Sequence, residues 1–344
     1  MRRLRILVLM HPDFVPPDSA DGYTAQEINK WKTEYDVVST LRGAGHNVRP
    51  LGVQEEIKPV RDEIENFKPH VVFTLLEEFH YQTAYDQHIA SFLELMKVPY
   101  TGCNPRGLVL ARGKDLSKTL VHYHRIPVPA FAVFPLHRKV RRPKRLALPL
   151  IVKSLSEDAS WGISQASVVD TDEKLAERVA FIHERIGTAA IAEQFIEGRE
   201  LYVGVLGNDR LRTLPVWEMD FGTLPDVMAG IATRKVKWDR RYQKKHGIRT
   251  GAAQNLPEGC AAYLDKLSKR IFRSLYLSGY ARMDFRMRPD GSVFVLEANC
   301  NPNISREEDL ADSALAAGME YPALLEQIIR VGNNYQAAWR ADEE

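Results

Sequence analysis

Apolar positions along this chain follow two rhythms that alternate from the start. Short unbroken runs, Ile6–Met10 and His70–Leu75, predict buried strands. Each is followed by helical spacing: Glu34–Gly43, stopped at Gly43-Ala44-Gly45, and Asp86–Met96, ending before Pro99. This βαβα order predicts a small parallel α/β unit reaching to about Gly102. Another helix is expected over Gly113–His124, before the break at Pro127 and Pro129.

Strands return at Leu150–Val152, Ser164–Val169, Ile191–Ile196 and Leu201–Leu206. Among them lies a helix over Thr171–Ile186, with Thr171-Asp172 as capping residues. The last third predicts further strands and two helices, Cys260–Leu277 and Pro322–Val331. It also holds the most informative stretch, Gly279–Ser305. Polar and apolar residues alternate there on both sides of Arg288-Pro289-Asp290-Gly291, the signature of a hairpin.

A two- or four-residue loop would set Phe285 opposite Phe294 and Asp284 opposite Val295. Arg282, Asp284, Glu297 and Asn299 then share one face, because side chains alternate with period two. Met283, Phe285, Met287, Phe294, Leu296 and Ala298 take the other, core-facing side. Asp284 and Glu297 become diagonal neighbours about 7–8 Å apart. Two carboxylates and an amide oxygen suit Mg²⁺, a hard cation that keeps water and phosphate as its other ligands. Zinc would ask for Cys and His instead. An ordinary solvated face of an amphipathic hairpin would show the same alternation, so the pattern alone leaves both readings open.

Composition narrows the field by exclusion. A chain of 344 residues is long for one compact core and predicts two or three domains. With 44% hydrophobic and 27% charged residues it has the make-up of a soluble globular protein. A formal net charge of +2 predicts no bulk attraction to nucleic acid or to a membrane. The basic run His137–Arg145 reads as a solvated loop, since no aromatic residues interleave it as a nucleic-acid patch would require. Cys103, Cys260 and Cys300 are widely spaced and form no metal motif or disulfide framework, which fits a cytoplasmic, reducing setting. Behind Met1-Arg2-Arg3-Leu4-Arg5 the first apolar run is too short for a signal peptide or a membrane span. No internal repeat is evident.

Two nucleotide-binding signatures fail. Gly107 to Lys114 imitates a phosphate loop, but five residues separate its glycines and Asp115 stands where Ser or Thr is required. No GxGxxG follows a strand. A different arrangement begins at Leu148-Pro149-Leu150-Ile151-Val152-Lys153. There a strand ends in Lys153 and gives way to a loop of small and polar residues closing on Gly162, able to cover phosphates with backbone N–H groups. About forty residues later Glu193 and Glu200 flank Glu197-Gly198-Arg199.

Taken in order, these segments resemble the ATP-grasp superfamily, and most closely the D-alanine–D-alanine ligase family. The matching stretches are VPYTG (98–102), GKDLSK (113–118), LIVKS and its loop (150–162), IAEQFIEGRELYVGVLG (191–207), GYARMDFR (279–286) and LEANCNPNIS (296–305). The resemblance implies an α/β (α+β) ATP-grasp fold with an N-terminal parallel unit (1–103), a central subdomain (104–195) and a C-terminal subdomain (196–344) that together clamp ATP. Carried over by motif, Lys114 and Lys153 would contact ATP phosphates. Glu193, Gln194 and Ile196 would lie at the adenine, and Glu200 at the ribose. Asp284, Glu297 and Asn299 would hold two Mg²⁺ ions, with Mn²⁺ as a substitute. Arg282, the backbone near Asn303, and Lys237 of a basic lid would be catalytic. Small amino-acid or peptide substrates and a homodimer are implied as well.

The amino-acid side departs from the family pattern. The early loop that carries a substrate-binding Glu is replaced by a longer segment from His11 onward, with Glu27 and Glu34 as unaligned substitutes. Leu75-Leu76-Glu77-Glu78-Phe79-His80 replaces a glycine-rich acidic motif. Ala159 and Trp238 stand where the family has a serine and a tyrosine that link loop to lid, a bond that Ala and Trp cannot reproduce. Glu34, Trp238 and Ser305 are the substrate-side candidates. Three functions follow: a D-alanine–D-alanine ligase, a ligase of other amino-acid or peptide partners on the same ATP machinery, or an ATP-binding protein without turnover. The last needs no oxyanion donor, and Arg282 speaks against it.

Overall fold

A computed structural model describes residues 3–156, 164–223, 233, 236 and 239–342. Ala159, Lys237 and Trp238 lie outside the described residues. Three sheets organise the chain. The first is parallel, in the order β2-β1-β3, from β1 (Arg5–Met10), β2 (Asn47–Gly52) and β3 (Val71–Thr74). The apolar run of β1 serves two cores at once. Leu7 and Leu9 join the helices Lys58–Phe67 and Asp86–Leu95 on one side. Ile6, Val8 and Met10 join the helices Lys32–Gly43 and Tyr321–Asn333 on the other. A parallel strand covered on both faces has no use for alternation, so its sequence reads as a continuous apolar run. β2 carries Pro50, which an edge strand tolerates because one side of it makes no ladder.

The second sheet is antiparallel, in the order β4-β7-β5-β6: β4 (Phe131–Phe134), β5 (Leu150–Ser154), β6 (Val168–Val169) and β7 (Ala190–Gln194). Helix Asp172–Phe181 covers one face through Leu175 and Val179, and the predicted cap is present, Thr171 Oγ1 accepting from Lys174 N–H at 3.2 Å. The strand expected over Ser164–Val169 shortens to Val168–Val169. Its first residues form a 3-10 turn, in which Ser164 N–H donates to Ser167 Oγ at 3.0 Å and Ser167 N–H to Ser164 O at 3.0 Å. Serine bonding to nearby backbone competes with the ladder.

The third sheet runs β11-β10-β8-β12-β13, with β9 (Arg212–Thr213) paired to β8 (Arg199–Leu206). The remaining members are β10 (Trp217–Asp220), β11 (Arg249–Ala252), β12 (Tyr280–Met287) and β13 (Val293–Asn299). The predicted hairpin is β12–β13, but its register differs from expectation. Strand pairing stops at Met287 and Val293, and the ladder shifts between Asp284 and Phe285. Asp284 therefore lies directly opposite Glu297 rather than Val295, and Phe285 opposite Val295 rather than Phe294. The extra residue on β13 is a β-bulge, which inverts the alternation beyond it. Val293 and Val295 go to the core with Met283, Phe285, Met287 and Ala298, while Phe294 and Leu296 are displaced from it and only half buried.

Helix Cys260–Ser274 lies under the sheet through Leu264, Leu267 and Ile271, leaving the opposite face for chemistry. The first and third sheets meet closely at Gly279, which has φ +76°. A Cβ there would stand 2.2 Å from the carbonyl oxygen of Gly102. Among the described residues no helix is long and apolar enough to cross a membrane.

Candidate active site

Opposed residues of antiparallel strands point the same way, so register alone assembles a polar row on the third sheet. Gly204, Arg282 and Asn299 face one another across β8, β12 and β13; Tyr202, Asp284 and Glu297 form the next rank; Glu200 and Arg286 the next. Arg282 donates from Nε to Asp284 Oδ1 at 2.7 Å and from Nη2 to Oδ2 at 2.8 Å. Its guanidinium carbon lies 4.5 Å from the centre of the Tyr202 ring, and the Tyr202 hydroxyl donates to Glu200 at 2.7 Å. Arg286 closes the row by donating to Glu200 and, at 2.9 Å, to Gly198 O. Burial, reinforced by the Glu200 and Asp284 carboxylates, pushes the Tyr202 hydroxyl well above its ordinary range.

The donor set fits a hard divalent cation. Asp284, Glu297 and Asn299 offer oxygen only, and the bulge brings the two carboxylates directly across from each other. Among the described residues no group of three or more His, Cys, Asp or Glu is placed to hold a metal. Asn299 Oδ1 accepts from Asn301 N–H at 2.8 Å, which orients the amide.

A second cluster abuts this row. Lys153 at the end of β5 and Glu193 on β7 share a face of the second sheet and approach to 3.3 Å. Lys118 comes within 3.3 Å of the same Glu193 oxygen and donates to Leu296 O at 2.7 Å. One buried ammonium, 4% exposed, thus ties the second sheet to the hairpin of the third. Burial alone would raise the Glu193 carboxyl, but Lys118 and Lys153 prevail and hold it below the usual carboxylate range. Lys114 opens the helix Lys114–Tyr123 and lies one turn before Lys118 on the same face. Ile196 is buried just beyond β7. Gln194, next along the strand from Glu193, has its side chain on the opposite face.

The substrate-side candidates lie where the helix Lys32–Gly43 meets the loop after β13. Asn303 Oδ1 accepts from Ser305 N–H and Ser305 Oγ, both at 2.9 Å, and from Thr33 Oγ1 at 3.2 Å, so loop and helix are tied through one amide. Ser305 is buried. Glu34 is 7% exposed, and burial, with the Glu77 carboxylate adding to it, pushes its carboxyl up to about 7. Glu27 serves its own capping box with Thr24 instead. The segment Leu75–His80 brings Glu78 to Gln54, which donates at 3.2 Å, and within 3.9 Å of His11. The basic run His137–Arg145 is mostly exposed, with Arg142 paired to Asp172 at 2.5 Å.

Four residues of the site were not singled out from sequence. Tyr202 and Arg286 stand two places from Glu200 and Asp284, where period two would have found them. Lys118 closes the quoted GKDLSK segment. Asp309, 3.5 Å from Arg282 Nη1, gave no signal, because only folding brings it there.

Comparison with known proteins gives a consistent picture. The family described as "D-ala D-ala ligase C-terminus" matches residues 120–330. A D-alanine–D-alanine ligase of Desulfotalea psychrophila is 32% identical over 271 residues, covering 76% of this chain and 77% of that protein. An uncharacterized protein of Sinorhizobium fredii, y4sG, is 29% identical over 313 residues, 86% of each. Among solved structures, the D-alanine–D-alanine ligase from Bacillus anthracis complexed with ATP superposes with a TM-score of 0.74 at 22% identity, covering 99% of this chain and 100% of that one.

Proposed function

This chain belongs to the D-alanine–D-alanine ligase family of the ATP-grasp superfamily, and from that membership we propose an ATP-dependent carboxylate–amine ligase of small amino-acid or peptide substrates. The observation that carries the proposal is the single polar face holding Arg282, Asp284, Glu297 and Asn299, with the Lys118–Glu193–Lys153 cluster joined to it at Leu296. ATP lies between the second and third sheets. Lys114 and Lys153 hold its phosphates, Glu193, Ile196 and the backbone at Gln194 its adenine, and Glu200 its ribose. Asp284, Glu297 and Asn299 would hold Mg²⁺, two ions for which Mn²⁺ would substitute, and the cation would supply charge neutralisation at the transferring phosphoryl group.

A carboxylate resists attack by an amine, so it is first activated. One carboxylate oxygen of the first substrate attacks the γ-phosphorus, the bond to ADP breaks, and an acyl phosphate forms. The amine of the second substrate then attacks the acyl carbon. Arg282, with backbone N–H near Asn303, stabilises the negative oxygen of the tetrahedral intermediate. Its collapse expels inorganic phosphate, and the amine nitrogen loses a proton as the amide forms. Lys237 and Trp238, outside the described residues, are assigned catalytic and substrate roles by family resemblance alone, and Glu34 and Ser305 act on the substrate side. One unit follows each sheet, 1–103, 104–195 and 196–344, and the family resemblance supports a cytoplasmic homodimer.

D-Alanine is the first substrate to try, being named in the relatives. Other amino acids or a peptide end form the second reading, favoured by Glu78 with Gln54 and His11 in the place of a glycine-rich segment. The experiment is phosphate release from ATP with Mg²⁺ and D-alanine, then with a panel of L- and D-amino acids, products identified by mass. D-Alanyl-D-alanine as main product supports the first; silence with D-alanine and turnover elsewhere supports the second. Silence across amino acids and peptides removes the ligase.

A further inference from the structure

Arg282 has two carboxylates, and one of these has two claimants. Its Nε and Nη2 occupy both oxygens of Asp284, at 2.7 and 2.8 Å. Nη1, the nitrogen that Asp284 leaves unused, stands 3.5 Å from Asp309 Oδ2. Asp284 is also a proposed ligand of the divalent cation. In a two-pronged pair both carboxylate oxygens are engaged by the guanidinium, so a cation arriving at Asp284 competes with the Arg282 charge for the same carboxylate. Arg282 cannot turn to water instead: its side chain is 15% exposed and stacks over Tyr202. A buried charge stripped of its partner is strongly unfavourable. Asp309 is the carboxylate at hand. It opens the helix Asp309–Ala316, and its side chain, 16% exposed, is nearly as enclosed as that of Arg282.

We propose that Asp309 is a positioning residue that holds Arg282 when Asp284 turns to a divalent cation, so that metal binding and the aim of Arg282 are compatible. The proposal rests on the polar face being the metal and acyl-transfer site. It makes Asp284 a shared ligand and Asp309 the group that frees it. An Asp in the first turn of a helix also favours the helix dipole, and that role alone would alter stability without touching cation affinity.

The test is Mn²⁺ binding followed by water-proton relaxation enhancement with ADP present, in the wild type, Asp309→Asn, Arg282→Ala, their double variant and Asp284→Ala. Asp309→Asn is expected to weaken Mn²⁺ binding about tenfold, because Arg282 then keeps its hold on Asp284, a loss of the size that follows when the groups surrounding a metal site are altered. Arg282→Ala should bind at least as tightly as the wild type, because the competitor is gone. Adding Asp309→Asn to Arg282→Ala should then change nothing further. Unchanged affinity in Asp309→Asn, the same loss in both backgrounds, or weaker binding by Arg282→Ala would overturn the handover. Should Asp309→Asn fail to fold, the Arg282→Ala comparison still decides. No Mn²⁺ binding by the wild type, or full binding by Asp284→Ala, would instead overturn the metal site itself.

Discussion

At the scale of single residues, Arg282 carries the sharpest prediction. It stands on the polar face beside the start of the helix Asp309–Ala316, and its partners are polar or aromatic. Arg282→Ala is expected to cut turnover by roughly 10²–10³-fold, the loss typical of one oxyanion donor. Circular dichroism should report a folded chain, and an active variant would remove Arg282 from the chemistry. Glu34 makes a second prediction, about pH. Its carboxyl rises from 4.5 to about 7 through burial first and Glu77 second. The folded chain therefore binds that proton more tightly than the unfolded one, and stability falls as pH rises from about 4.5 through about 7. Glu34→Gln removes the effect. Urea unfolding should find the variant gaining on the wild type by at most about 3 kcal/mol between pH 4 and pH 8. Equal pH profiles would show that Glu34 is not buried as described.

At the scale of elements, the hairpin shows how far periodicity reaches. Arg282, Asp284, Glu297 and Asn299 were legible as one face because each side of the turn keeps its own alternation of two. The register between the sides was not legible, because a bulge changes the count without breaking either alternation. It costs two core assignments, Phe294 and Leu296, and gains a direct Asp284–Glu297 opposition. Another element-level feature is the cap of helix Pro105–Arg112. Asn104 Oδ1 accepts from Gly107 N–H at 2.8 Å, and Asn104 Nδ2 donates to Tyr276 O at 2.8 Å. One buried amide so starts a helix and pins it to the end of the helix Cys260–Ser274. Asn104→Ala leaves both partners unpaired and should destabilise the chain by about 1–3 kcal/mol. Chemical denaturation measures this; a loss under half a kilocalorie per mole would mean the pin is idle.

At the scale of the molecule, the first and third sheets share two hydrophobic cores, and a set of close polar and backbone contacts fixes how the sheets meet. Gly279 against Gly102 brings the first to the third, and Lys118 ties the second to the third through Glu193 and Leu296 O. His46 adds a buried clip to the first, accepting from Leu4 N–H at 3.1 Å on Nδ1 and meeting Glu326 at 2.7 Å through Nε2. The candidate nucleotide and metal residues come from different sheets, and these contacts set them side by side. By itself the sequence determined the parallel first unit, the helix capped at Thr171, the polar face of the hairpin and the family to which its ordered segments belong. All of these are encoded in residues within a few places of one another, where period, capping chemistry and motif spacing act directly. Only the tertiary structure decided the bulged register, the placing of Lys118 between two sheets, and the approach of Asp309 to Arg282. Such contacts join residues 27 to 178 positions apart, or depend on one inserted residue, and are set by how finished elements pack rather than by any local pattern.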